Sequence, residues 1–109
     1  MKKHVLILDL KEDPKLIEEY IEYHQNVWPE ILLSIKASGI KKMEIFHVAN
    51  RLCMIVQVTD DFDFQRKSEM DQANPKVVEW EKLMDTYQNR LPFARPKEKW
   101  VLMEKIFES

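Results

Sequence analysis

Tyr20 and His24 stand four residues apart. On a helix that spacing puts both side chains on one face, where they can touch the same ligand. Imidazole, with an ordinary pKa of about 6.5, takes and gives a proton near neutrality. A phenol beside it adds a hydrogen bond and an apolar ring. The pair is therefore a candidate acid/base unit, suited to moving protons between oxygens. The same spacing also fits a half-buried core tyrosine and a helix-end histidine favoured by the macrodipole. Trp28-Pro29 follows, where a large ring can fill a kink. Trp80 falls on the apolar side of a later helical pattern, where core packing is the default for an indole, and its neighbour Glu79 would ordinarily be solvated. His47 and Met43 share one face of a strand pattern. Zinc would need closely spaced ligands of the His-x-x-x-His kind, which do not occur, and Cys53 is the only cysteine, so no metal is expected.

The chain has 109 residues, 45% hydrophobic and 33% charged, with a formal net charge of -2. That is the size of one domain, residues 1–109, with a single core. Lys and Arg are interspersed among a slightly larger number of Asp and Glu, which argues against a nucleic-acid surface. The longest apolar runs fall far below the roughly 20 residues that span a bilayer. The opening MKKHVLILDL is broken by Asp9 and followed by KEDPK, so it reads as a strand of a cytoplasmic protein and not as a signal peptide. A lone cysteine allows no internal disulfide, and its apolar neighbours suggest an inert core thiol.

The elements that must position these groups can be placed by periodicity and punctuation. Val5 to Leu10 reads as a buried strand. Asp13-Pro14 supplies an N-cap and a proline at the first helical position, and Leu16, Ile17, Tyr20, Ile21 and His24 mark one face of the helix it opens. Pro29 ends that helix and starts a second, carrying Ile31, Leu32, Ile35 and Lys36, which stops at Gly39. Lys42 to Val48 and Leu52 to Val58 form a hairpin around Ala49-Asn50-Arg51, with Asn50 as the turn-tolerant residue. A third helix is expected over roughly 62–72, capped within Thr59-Asp60-Asp61. A fourth begins at Asn74-Pro75, with Val77, Trp80, Leu83, Met84, Tyr87 and Leu91 on its apolar side. Residues 91–99 form a loop and Trp100 to Phe107 a closing strand. The order is β-α-β-β-α-β, an α+β, ferredoxin-like arrangement with helices on one face of an antiparallel sheet. Apolar residues on both sides of 42–58 imply that a second copy covers the other face, giving a homodimer of the α+β-barrel type.

The string Tyr20-x-x-x-His24-x-x-Val27-Trp28-Pro29-Glu30, then Lys36-x-x-Gly39, a hairpin, and Trp80-x-Lys82-x-Met84 resembles the L-rhamnose mutarotase family, small dimeric α+β proteins of this length. The resemblance covers nearly the whole chain. It implies cofactor-independent interconversion of the α and β anomers of a 6-deoxy-L-sugar, with His24 as proton donor and Tyr20 and Trp80 against the sugar. Two positions depart from the rhamnose pattern: the family's strand tyrosine is replaced by Met43, and the first member of its Trp-Trp pair by Glu79. The chain looks similar to the branch associated with fucose use, so the monosaccharide expected is L-fucose or L-rhamnose. Glu79 and His47 are then expected to supply the hydrogen bonds to ring hydroxyls that the missing aromatics do not. The same scaffold would also suit a non-catalytic ligand-binding or regulatory module, or a cofactor-independent monooxygenase.

Overall fold

The computed structural model describes residues 2–109. Its first strand, β1 (Lys2–Leu10), buries every second residue: Leu6, Leu8 and Leu10 face the core, while Val5, Ile7 and Asp9 alternate with them. Asp13 accepts hydrogen bonds from the Lys15 and Leu16 amides at 2.9 and 3.4 Å, and Pro14 opens α1 (Pro14–Gln25). Trp28-Pro29 starts α2 (Pro29–Ala37). Gly39, at φ +99°, then turns the chain into β2 (Ile40–Val48). A tight turn leads to β3 (Arg51–Val58).

Asp63, not the Thr59–Asp61 segment, caps α3 (Phe64–Gln72), accepting from the Gln65 amide at 2.9 Å. Asn74 caps α4 (Pro75–Asp85) in the same way through the Lys76 amide. That helix ends at Asp85, so Tyr87 and Leu91, expected on its apolar side, lie beyond it, although both are buried. Tyr87 leads directly into β4 (Gln88–Asn89), a two-residue strand absent from the sequence reading. The closing strand is also shorter than expected: β5 is Val101–Leu102, and residues 103–109 carry no regular structure apart from a Met103 amide bond to the Val5 carbonyl.

All strand pairings are antiparallel, in the order β2-β3-β1-β4, with β5 also on β1. This is the expected α+β, ferredoxin-like fold. Register places Leu6 opposite Met54, Leu8 opposite Leu52, and Ile45 and His47 opposite Met54 and Leu52, so these residues share the helix-covered face. The core on that face has two parts. One gathers Leu10, Tyr20, Ile31, Leu52, Val77, Trp80, Met84 and Tyr87. The other gathers Leu6, Ile40, Val56 and Val58.

The opposite face carries Val5, Ile7, Glu44, Phe46, Val48, Cys53 and Ile55. Cys53 is thus only partly buried, on the helix-free side, and not a core thiol. On α1 the exposed Ile21 gives way to Tyr23 in the core. At the hairpin tip it is Ala49 that takes positive φ (53°). Asn50 instead ties the turn to β1, its Nδ2 donating to the Leu10 carbonyl at 3.1 Å.

Candidate active site

Between the helices and the covered sheet face lies a cavity of about 990 Å³, at the upper end of the range for small-molecule sites. α1 contributes Tyr20 and His24, α4 contributes Trp80 and Met84, β4 contributes Gln88, and the residue before β5 contributes Trp100. One edge is built by the loop after β4. Lys99 is held at 2.7 Å from both Glu81 and Asp85 of α4, which fastens the loop to that helix beside the cavity.

His24 sits in the last turn of α1 with its ring half-buried. Its Nδ1 lies 2.8 Å from the Tyr20 carbonyl, one turn back on the same helix. A carbonyl only accepts, so Nδ1 carries the hydrogen, and the neutral ring presents a lone pair at Nε2. Burial lowers its pKa below 6.5, partly offset by that hydrogen bond, so the neutral form prevails at pH 7. An imidazole in this state is a base first and an acid only after it has taken a proton.

The rings around it are tightly grouped. His24 and Tyr20 have centroids 4.4 Å apart, and His24 meets Trp80 edge-on at 5.7 Å. Trp28 in turn packs edge-on against Trp80 at 5.0 Å, which fixes the indole from behind. Trp28 itself does not line the cavity. Tyr20 is buried, and desolvation pushes its pKa up to about 12, so its phenol keeps its hydrogen at neutral pH. The phenol oxygen accepts from Gln88 Nε2 at 3.3 Å. Gln88, which the sequence reading passed over, is buried because it pairs with Leu10 and so turns to the same covered face.

Three of the five expected site residues therefore come together: His24, Tyr20 and Trp80. The other two do not reach the cavity. Glu79 neighbours Trp80 in sequence, but about 100° of helical rotation turns it to solvent, where it pairs with Lys76 at 3.4 Å. His47 lies on the covered face, yet at the exposed end of edge strand β2, two residues past Ile45, and it does not line the cavity. Met43 does line it. Among the described residues no group of three His, Cys, Asp or Glu side chains could hold a metal, and no helix is long and apolar enough to cross a membrane.

A helix-covered antiparallel sheet enclosing an aromatic cavity with one half-buried imidazole defines a ferredoxin-like protein built to handle a small molecule. The profile of the L-rhamnose mutarotase family matches residues 3–109, and the chain belongs to that family, whose members are carbohydrate isomerases. It is 38% identical to the L-fucose mutarotase of Xanthomonas campestris pv. campestris over 98% of this chain and 87% of that protein. Among solved structures it resembles the L-rhamnose mutarotase of Formosa agariphila, with TM-score 0.73 and 20% identity, covering 100% of this chain and 99% of the other. A dimeric ferredoxin-like protein from an uncultured marine organism shares the fold at TM-score 0.53 and 19% identity, covering 98% and 91% of the two chains.

Proposed function

We propose that this mutarotase interconverts the α and β anomers of L-fucose or L-rhamnose, with His24 Nε2 as the atom that moves the proton. The observation that carries this reading is the committed Nδ1: tied to the Tyr20 carbonyl, it leaves a basic Nε2 on a residue in the wall of a cavity with ample room for a pyranose. The neutral imidazole takes the anomeric hydroxyl proton, the bond between anomeric carbon and ring oxygen breaks, and the imidazolium returns the proton to the ring oxygen. The open-chain aldehyde then turns about its first carbon–carbon bond. Closure retraces the proton path from the other face, so nothing is consumed.

The protonated phenol of Tyr20 donates a hydrogen bond that holds the sugar, and the Trp80 ring packs against the apolar face bearing the methyl group. One positioned acid/base group contributes about 10² to 10⁴ in rate, which suffices for a reaction that already runs unaided in water. The name of the Xanthomonas relative supports L-fucose, and the departure at Met43, which lines the cavity, supports a pocket unlike that of a rhamnose enzyme. The experiment is saturation-transfer NMR on both sugars. His24→Ala should fold normally yet lower the enzymatic exchange rate by at least about tenfold. Exchange at the wild-type rate would remove His24 from the mechanism.

A further inference from the structure

Gln88 Oε1 is the buried side-chain polar atom left without a hydrogen-bond partner among the described residues. The residue is 9% exposed and stands in the cavity wall, with its Nε2 spent on the Tyr20 phenol at 3.3 Å. A buried amide oxygen without a donor is unfavourable, and native proteins keep few such groups without a use. It is also held firmly in place: β4 is short, but Leu10 opposite fixes the face, and the Lys11 amide bonds the Tyr87 carbonyl at 2.9 Å. Resting on the reading of this cavity as a sugar site, we infer that Gln88 is a specificity-determining ligand. Its amide accepts a hydrogen bond from one ring hydroxyl of the bound pyranose while orienting the Tyr20 phenol beside it.

The chemistry selects the ligand class. Oε1 needs a donor, and a hydroxyl donates; a carboxylate or a fully ionised phosphate does not. The link to Tyr20 follows from the same bond. A phenol oxygen that accepts from Gln88 has its own hydrogen free to point at the substrate. Gln88 therefore fixes two adjacent hydrogen bonds to the sugar, one made directly and one through the phenol. Sites of this kind discriminate strongly against an analogue lacking the matched hydroxyl, because the protein group is then left unpaired.

The test compares wild type, Gln88→Leu and the unbranched Gln88→Met on L-fucose, L-rhamnose and monodeoxy analogues of each, measuring KM, kcat, Kd and Tm. In wild type, one monodeoxy analogue should bind about tenfold worse than its parent. In both variants KM and Kd for the parent should rise by about the same factor, kcat should change less, and that one analogue should suffer no further loss. Tm should stay close to that of wild type, since loss of the bond to Tyr20 and removal of the orphaned oxygen offset each other; a merely structural glutamine would lower Tm and leave Kd unchanged. Unchanged KM and Kd in both variants, or an equal loss on every sugar, overturns the assignment. If wild type binds L-fucose without accelerating exchange, the mutarotase proposal fails while the Kd comparison still decides Gln88. If wild type binds neither sugar, both fall.

Discussion

At the scale of single residues, the state of His24 has a consequence in pH. Its pKa lies below 6.5 because burial disfavours the imidazolium, and the Tyr20 carbonyl offsets only part of that effect. If Nε2 begins the cycle as a base, enzymatic exchange is full at neutral pH and falls on acidification, with a midpoint below 6.5. The rate with spontaneous mutarotation subtracted, followed from pH 8 downward, checks this; a midpoint above 6.5 would contradict it. Stability runs the same way. The unfolded state takes up the proton first, so the His24 contribution is intact above 6.5 and is lost as pH falls through the lowered folded-state pKa. That Tyr20 and His24 share one face was legible in the sequence, because a four-residue spacing on a well-capped helix leaves little freedom. Glu79 and His47 lie off the cavity for a shared reason: closeness along the chain to Trp80 and Met43 is not closeness in space, because helical rotation turns Glu79 to solvent and His47 sits at the exposed end of β2. Gln88 gave no local signal, since a glutamine beside Asn89 reads as surface until β1 pairs with it.

At the scale of elements, the parts set by local chemistry were legible. Asp13-Pro14 and Asn74-Pro75 start helices where cap and proline say they must. The two-residue β4 and the shortened β5 exist only through their pairing with β1, which no window of sequence contains. Gly39 joins α2 to β2 at φ +99°, and a Cβ there would sit 2.9 Å from Thr59 Oγ1 and 3.5 Å from Phe62 Cδ1. Gly39→Ala combines a strained backbone with a close approach and should cost about 1–3 kcal/mol. For a domain of this size that lowers Tm by at least about 4 °C, read by thermal unfolding. An unchanged Tm would mean that the α2–β2 junction adapts. Ile40, the next residue, belongs to the core that backs the cavity, so the same variant tests how far the site depends on this corner.

At the scale of the molecule, the sheet has the cavity on one side and a bare face on the other. Phe46 and Val48 are 54% and 72% exposed there, and Ile106 and Phe107 beyond β5 are 90% and 79% exposed. A fully buried large side chain contributes about 1.5–3 kcal/mol, so a few such residues suffice to hold two chains together. We propose a homodimer that joins through this face. Light scattering after gel filtration should find a dimer for wild type and a monomer for Phe46→Glu combined with Val48→Lys. A dimer that persists in the double variant would place the interface elsewhere. In β2, Met43 and Ile45 line the cavity while Glu44 and Phe46 point the other way, so cavity-facing and outward-facing side chains are interleaved on one ribbon. A single residue inserted into that ribbon would exchange the two sets, turning the cavity lining outward and the exposed apolar face inward. Substitutions can retune either face alone, but insertions and deletions within these strands would strike both in the same stroke.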